Sequence, residues 1–384
     1  MAGDALVSPA KVMAVRDGRI AALAESRDDL DGPADVVIDA AGRVLLPGFV
    51  DCHTHAVFAG DRSEEHRMRL AGQSYEDIAR AGGGIASTVR AVRAASEAAL
   101  IDASQPRLQA LMREGVTSVE IKSGYGLDLA NELKLLRATK ALGERLPLDI
   151  SATFLGAHAV PHDRSKSEYL GEVIEIMLPE VAREKLASAA DIYVENIAFD
   201  NDDLLRLAAA ADKAGLRLRA HTDQLSNMGG TALAASLGAL SCDHLEFSNT
   251  DDVAAMARHG TIAVLLPGAF YFLRESKKPP IAALRAARVP MAVASDLNPG
   301  TSPVASLLTC LHFATTLFGL SSDEGLLGIT INAARAMGRG AEVGSLEIGK
   351  SANFCIWDIP SPDYLCYQLG GLTPAARFFQ GQQQ

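Results

Sequence analysis

The sequence predicts an α/β protein, a (β/α)8 TIM barrel with a small β-sandwich domain formed by both chain termini. Eight short runs rich in Val, Ile and Leu recur, each followed by a turn and then by a stretch of helical periodicity. Short strands with alternating apolar and polar residues lie near both ends. At 384 residues the chain exceeds the roughly 250–300 residues at which single cores stop growing, so we expect a large domain with a small companion.

The eight runs are nearly continuously apolar, as expected of barrel strands that are buried on both faces. They are LLPGFVDCHTH ending at His55, VTSVEIKSGYG from Val116, LDISATFLGAH ending at His158, DIYVENIAF from Asp191, LRLRAHTDQ from Leu216, ALSCDHLEF from Ala239, TIAVLLPGA from Thr261 and VPMAVASDLNPG from Val289. Intervening segments such as LLRLAAAADKAGL and DDVAAMARHG carry helix formers and end near glycine, which predicts the outer helices.

Residues 1–46 and 344–384 are predicted to form the small β-sandwich, and residues 47–343 the barrel. The segments RDGRIAALAE, VVIDAAGRVLL and GSLEIGKSANFCIWDI alternate apolar with polar residues. Turn pairs such as Asp17-Gly18 interrupt them, as in hairpins. We expect this domain to pack beside the barrel.

Composition narrows the class of partner to a small molecule. The net charge of −11 argues against nucleic acid and against anionic membranes, which both attract clustered Lys and Arg. No apolar run reaches the roughly 18 residues of a membrane span, and the first residues do not resemble a secretory signal. Five scattered cysteines without a CxxC pair suit a reducing compartment, so we expect a soluble cytoplasmic protein. The sequence leaves the oligomeric state open and is compatible with a homodimer.

Histidines concentrate at the carboxyl ends of the predicted strands, where barrel active sites lie. Those at strand ends are His53, His55, His158, His221 and His244. Because strand side chains alternate between faces, His53 and His55 point the same way. Such a pair suits a divalent metal, although two ordinary polar residues at a strand end would give the same pattern.

Two further residues favour the metal interpretation. His221 leaves the fifth predicted strand, and Asp296 leaves the eighth in VASDLNPG. In a closed barrel the first and eighth strands are neighbours, and all carboxyl ends meet at one mouth. Three imidazoles and one carboxylate can therefore meet at one divalent or trivalent ion, zinc or iron, with water in an open position.

A single metal ion is expected at this centre. In dinuclear relatives of such barrels, a carboxylated lysine on the fourth strand often bridges the two ions, and DIYVENIAF has no lysine. Lys122 on the second strand is the only candidate nearby, and we do not expect it to contact the metal.

Several motifs together carry a resemblance to a known family. PGFVDCHTH, AHTDQLSN, DHLEF and SDLNPGTSP resemble the amidohydrolase superfamily. More narrowly, HAVFAGDRSEE, VEIKSGYGLD, FLGAHAVP and LLPGAFYFLRE resemble the imidazolonepropionase family. The resemblance runs from about Gly42 to Lys350. It implies hydrolysis of the cyclic amide of 4-imidazolone-5-propanoate to N-formimino-L-glutamate, in histidine degradation, by metal-activated water.

Residue roles follow from the same resemblance. It implies the metal ligands His53, His55, His221 and Asp296, and a substrate shell of Arg62, Tyr125, His158, Gln224, His244, Asn298, Gly300 and Thr301. A guanidinium such as Arg62 suits a bidentate contact with the propionate carboxylate. The expected catalytic residues are Asp296, which activates water, His244, which positions it, and Asp296 or His158, which protonates the leaving nitrogen.

One residue departs from the family pattern. Some members carry glutamate where this chain has Gln224, and an amide cannot take up a proton at neutral pH. The base is then Asp296, His244 or the activated water itself. Alternatives to the imidazolonepropionase interpretation are another mononuclear amidohydrolase, such as an aromatic deaminase or a different cyclic amidase, and a non-catalytic metal- or ligand-binding barrel.

Overall fold

A computed structural model describes residues 8–73 and 83–384. Its strands are β1 (Val12–Arg16), β2 (Arg19–Ala24), β3 (Val44–Pro47), β4 (Phe49–Asp51), β5 (Val116–Lys122), β6 (Asp149–Ala157), β7 (Ala189–Val194), β8 (Arg217–Leu218), β9 (Ala220–Thr222), β10 (Ser241–His244), β11 (Ile262–Leu265), β12 (Met291–Val293), β13 (Phe354–Trp357), β14 (Ala376–Phe379) and β15 (Gln382–Gln383).

Helices connect most of these strands. They are α1 (Ser63–Leu70), α2 (Ile85–Ala94), α3 (Glu97–Arg113), α4 (Leu129–Arg145), α5 (Lys166–Glu172), α6 (Leu178–Glu184), α7 (Asn201–Lys213), α8 (Gly230–Ser236), α9 (Thr250–His259), α10 (Pro267–Leu273), α11 (Ile281–Ala286), α12 (Leu307–Phe313), α13 (Ser322–Gly328), α14 (Ile331–Ala336) and α15 (Tyr364–Tyr367). Within the described ranges, no helix is both long and apolar enough to cross a lipid bilayer.

The barrel consists of parallel strands in the order β4-β5-β6-β7-β9-β10-β11-β12. The two ends of this order meet through a parallel bridge between Thr54 and Leu297, just beyond β4 and β12. Two backbone bonds, from the Asp296 amide to the His53 carbonyl and from the His55 amide to the Leu297 carbonyl, are each 2.9 Å long. The predicted (β/α)8 barrel is confirmed, and its closure joins the very segments that carry three of the predicted metal ligands.

Side-chain alternation along β5 separates the apolar layer under the helices from a polar barrel interior. Val119 and Ile121 are fully buried in the large hydrophobic core. Glu120 and Lys122 point the other way and contact charged groups of β7, of β10 and of Arg219, which lies between β8 and β9. Beside β5, the interior of this barrel therefore contains paired charges.

Helix termini follow the expected capping chemistry. Asp200 and Asn249 form capping boxes at the first turns of α7 and α9. Gly260 ends α9 at φ 72°, a left-handed conformation that glycine adopts without steric cost. The helices predicted from LLRLAAAADKAGL and DDVAAMARHG are confirmed.

Both chain termini contribute to a small β domain, as predicted. An antiparallel sheet has the order β15-β14-β13-β3, and the hairpin β1-β2 adjoins it through a bridge between Arg19 and Ser351. Its own core includes Ile20, Phe354 and Phe378. The boundaries 1–46, 47–343 and 344–384 stay a prediction, and residues 1–7 lie outside the described part.

The first predicted strand is two strands in the structure. β3 pairs with β13 in the small domain, whereas β4 pairs with β5 in the barrel, and Gly48 connects them. A Cβ at Gly48 would lie 2.2 Å from Oγ1 of Thr117, a buried side chain on β5. Only glycine lets the chain pass so closely between the two sheets.

We predict that Gly48→Ala lowers the free energy of unfolding by about 1–3 kcal/mol, because the added methyl group overpacks a filled site. Urea unfolding measures the change. Gly171→Ala within α5 is the matched control, since its added Cβ would meet nothing within 4 Å. Equal losses in the two variants would contradict the steric role of Gly48.

Candidate metal centre and substrate site

Three imidazoles and one carboxylate meet at the mouth of the barrel. Ligand atoms of His53, His55 and His221 lie within 4.8 Å of one another. Oδ1 of Asp296 lies 3.4 Å from Nε2 of His53 and 3.7 Å from Nε2 of His55. All four side chains are buried. The structure thus brings together the complete predicted ligand set.

Unsatisfied nitrogen atoms indicate that this set fits a metal ion. Nε2 of His53 and Nε2 of His221 are buried and lack a hydrogen-bond partner among the described residues. Leaving buried polar atoms unpaired is costly, and nitrogen lone pairs aimed at one point suit zinc or iron. The side chains present therefore fit a metal ion by their own chemistry, independently of any resemblance to a family.

Two carboxylates beneath the histidines fix the orientation of the rings. Nδ1 of His53 is 2.6 Å from Oδ2 of Asp243, and Nδ1 of His221 is 3.0 Å from Oδ1 of Asp191. A carboxylate accepts the Nδ1 proton and leaves Nε2 as the lone-pair nitrogen, the arrangement found behind metal-binding histidines. Burial, together with the charge of Lys122, holds the pKa of His53 well below its usual value, so the ring is neutral as a ligand must be.

Lys122 and Arg219 provide the opposing positive charge. Nζ of Lys122 lies 2.8 Å from Oδ2 of Asp191 and 3.0 Å from Oε1 of Glu120. Arg219 lies 3.4 Å from Glu120 and 3.5 Å from Asp243. Burial alone would raise the pKa of Asp243, but Arg219 and Lys122 lower it below its usual value. Lys122 thus contacts carboxylates, and the expectation that it does not contact a metal stays a prediction.

Arg62 lies against the loop that follows β12. A Cβ at Gly300 would lie 2.3 Å from Nη1 of Arg62, so glycine makes room for the guanidinium. Nε of Arg62 donates to Oγ1 of Thr88 over 2.9 Å. Thr88 belongs to α2, so this bond holds the guanidinium of Arg62 beside the mouth of the barrel.

A second group of rings borders the metal centre. His158 stacks on His55 with ring centroids 5.1 Å apart, and Tyr125 lies 5.6 Å from His55. Nδ1 of His158 is 3.0 Å from the carbonyl of Gly124, so Nε2 is left as an acceptor. Burial lowers the pKa of His158 to about 3, which makes the ring neutral at ordinary pH.

Gln224 and Tyr193 form a pair that sequence reasoning only half identified. The Tyr193 hydroxyl donates to Oε1 of Gln224 over 2.9 Å, and the Tyr193 ring lies 6.1 Å from that of His221. Because Oε1 accepts this bond, the amide nitrogen of Gln224 points away from Tyr193 and can donate a hydrogen bond to another group. Tyr193 follows Asp191 by two residues on β7, so both side chains lie on the same face of the strand. That spacing is the feature of the sequence from which Tyr193 could have been identified.

Asn298 organises its own loop. Its Oδ1 accepts bonds of 2.8 Å from the amides of Gly300 and Thr301, and its Nδ2 donates to the Asp296 carbonyl over 2.7 Å. These contacts fix the backbone between Asp296, a predicted metal ligand, and the glycine beside Arg62. The contact of Asn298 with substrate stays a prediction.

His244 lies at the end of β10, near the ligand rings. Its ring centroid is 5.7 Å from that of His221 and 6.0 Å from that of His53. Burial lowers its pKa to about 3. Its Nδ1 lies 3.9 Å from Oε2 of Glu246, a buried carboxylate that the sequence did not single out. The neutral ring is placed to accept or donate one hydrogen bond at the centre.

A family model and curated relatives both align with most of this chain. The model of the amidohydrolase family matches residues 44–383. Imidazolonepropionase of Bradyrhizobium sp. is 53% identical over 375 residues, which cover 97% of this chain and 93% of that protein. Imidazolonepropionase of Rhizorhabdus wittichii is 51% identical over 384 residues, which cover 99% and 96%.

Solved structures share the fold at low identity. A 5-methylcytosine deaminase of Klebsiella pneumoniae aligns with a TM-score of 0.75 at 17% identity over 97% of this chain and 93% of its own. An adenosine deaminase of Xanthomonas campestris with bound zinc aligns with a TM-score of 0.70 at 18% identity over 98% and 89%. At such identity these likenesses establish the barrel architecture alone.

We predict that Asp243→Asn weakens metal binding by about 10–100-fold, because the His53 ring loses its charged partner. Competition with a chelator of known affinity measures the change. Asp252→Asn is the matched control: Asp252 is equally buried but bonds to Asn227 and Asn249. An unchanged affinity in Asp243→Asn would contradict the role of this carboxylate.

Proposed function

This chain belongs to the amidohydrolase family and, within it, to the imidazolonepropionases, and we infer from this that it hydrolyses 4-imidazolone-5-propanoate to N-formimino-L-glutamate in histidine degradation. The observation that carries the proposal on the structural side is one barrel mouth that holds three imidazoles within metal-binding distance of one another, with the guanidinium of Arg62 against Gly300 in the loop that continues from Asp296. The first group suits hydrolysis of a cyclic amide, and the second suits a carboxylate tail.

We propose that His53, His55, His221 and Asp296 hold one ion, zinc or iron. A metal bound there supplies a Lewis acid that lowers the pKa of water towards about 7. Nδ1 of His53 faces Asp243 and Nδ1 of His221 faces Asp191, which leaves Nε2 of each ring for the ion and supports this assignment. Asp243 and Asp191 would thus orient the rings of His53 and His221 before an ion binds.

Arg62 would bind the propionate and so orient the imidazolone ring towards the histidines. Its bond to Thr88 and its contact with Gly300 leave little freedom for the guanidinium, so less entropy is lost when a substrate binds. Tyr125 lies beside the histidines, with its ring 5.6 Å from that of His55 and 5.5 Å from that of His158. The loop of Asn298, Gly300 and Thr301 would complete this side of the site.

Asp296 is the base that the geometry supports best. A carboxylate can accept the proton of water as its oxygen bonds to the ring carbonyl carbon, and can return that proton to nitrogen as the C–N bond breaks. His158 is less suited to donate, because its Nδ1 faces the Gly124 carbonyl and the ring is neutral. His244 would position the water, and Gln224 would donate a hydrogen bond without exchanging protons.

Cytoplasmic location is a further proposal, and the cysteines support it. Cys52, Cys242, Cys310, Cys355 and Cys366 are all free and buried. Burial raises the pKa of each thiol, so none is activated for disulfide exchange. A homodimer likewise stays a prediction.

Metal removal tests the proposed activity directly. We predict that the purified chain consumes 4-imidazolone-5-propanoate, that a strong chelator abolishes this activity, and that zinc or iron restores it. Loss of imidazolone ultraviolet absorbance follows the reaction. Full activity after complete metal removal would reject metal-activated hydrolysis, and release of ammonia from a purine or pyrimidine, without imidazolone turnover, would favour a deaminase.

We predict that Arg62→Ala costs about 2–4 kcal/mol in kcat/KM, because it leaves a charged substrate group unpaired. An imidazolone without the propionate should be a poor substrate of the unaltered chain and nearly indifferent to this change. Arg67→Ala is the matched control, since Arg67 lies on α1 but is exposed and paired with Glu64. Equal effects on both compounds would contradict recognition of the propionate.

The assignment of the base leads to a paired prediction. Asp296→Asn should lower kcat by several orders of magnitude, whereas Gln224→Glu should keep or improve activity, because Oε1 can still accept from Tyr193. Metal content of both variants is measured beside the rates, so that loss of the ion is distinguished from loss of the base. An active Asp296→Asn enzyme would refute the assignment.

A further inference from the structure

A cluster of buried carboxylates lies beneath the histidines, and we name it the acidic pocket. It consists of Glu120, Asp191 and Asp243, each at most 1% exposed. Ligand atoms of Asp191, His221 and Asp243 lie within 4.8 Å of one another, which is a spacing that a metal ion could bridge. Oδ1 of Asp243 is buried and has no hydrogen-bond partner within the described ranges. The acidic pocket thus has the ligands of a second metal site.

The ammonium of Lys122 occupies this position. Its Nζ lies 3.0 Å from Glu120, 2.8 Å from Asp191 and 3.6 Å from Asp243, so one cation faces all three carboxylates. The side chain reaches them from β5 and is fully buried. The ammonium of Lys122 therefore balances negative charge of the acidic pocket without an ion from solvent.

We propose that the Lys122 ammonium is a built-in cation that takes the place of a second metal ion and restricts the centre to one. This inference rests on the proposed metal centre and extends it to the number of ions. Removing the ammonium while leaving space should convert the acidic pocket into a site for a second divalent cation. Arg219 would stay, since it is held by Glu120, Asp243 and the carbonyl of Cys52.

Charge and volume are separated by two substitutions at one position. Lys122→Ala removes the charge and leaves room for an ion, whereas Lys122→Met removes the charge but fills the space with an uncharged chain of similar length. Lys350→Met is the control for loss of a buried lysine, because Lys350 bonds to Gly340 and Ser345, outside the acidic pocket.

The experiment measures bound metal per chain after equilibration of each metal-free protein with excess Mn²⁺ or Zn²⁺ and removal of unbound ions. We expect about two ions in Lys122→Ala and about one in the unaltered chain, Lys122→Met and Lys350→Met. In the Mn²⁺ form, electron paramagnetic resonance should report a spin-coupled pair only for Lys122→Ala. Circular dichroism establishes that each variant is folded.

A folded Lys122→Ala chain with one ion would overturn the inference. If this variant folds only with added metal, its rescue supports the inference. If it does not fold at all, Glu120→Gln/Lys122→Ala restores the balance of charge and is measured in the same way. A double variant that binds one ion, or that excess metal cannot fold, also overturns it. An unaltered chain without metal would contradict the proposed centre instead, whatever the variants do.

Discussion

Charge pairing inside the barrel is the constraint on which the rest of the site depends. Glu120, Asp191 and Asp243 are removed from water, and isolated buried carboxylates would cost several kcal/mol each. Lys122 and Arg219 offset that cost: burial alone would raise the pKa of Asp191 and of Asp243, but neighbouring positive charge lowers both below the usual value. Ionised carboxylates in turn fix the Nδ1 protons of His53 and His221. Lys122 and Arg219 thus act on the orientation of the two imidazole rings through the carboxylates that lie between them.

Barrel closure converts this charge layer into a site. The bonds that join the segments after β4 and β12 run through the backbones of His53, His55 and Asp296. The same contacts that complete the barrel therefore set the spacing of three proposed ligands. The Asn298 loop continues from Asp296 to Gly300, and its hydrogen bonds fix the position of the glycine against which Arg62 lies.

Strand alternation explains which site residues were visible in advance. His53 and His55 stand two apart at a strand end, and Asp296 and His221 occupy equivalent ends, so these four could be proposed as ligands from the sequence, and the structure brings their side chains together. Asp191, Tyr193, Asp243 and Glu246 were missed, because a polar residue inside a buried strand looks the same whether it supports a ligand or lines the core. Their roles depend on neighbours from other strands.

The sequence by itself determined the barrel, the contribution of both termini to a small domain and the residues to propose as ligands, because these follow from periodicity and from residue chemistry along a single segment. Tertiary structure alone decided that the first predicted strand divides at Gly48 between two sheets, since that depends on the distance to Thr117. It likewise decided the partner of Lys122. One lysine on β5 meets carboxylates of β7 and β10 only after the barrel has formed, and no local pattern encodes such a meeting.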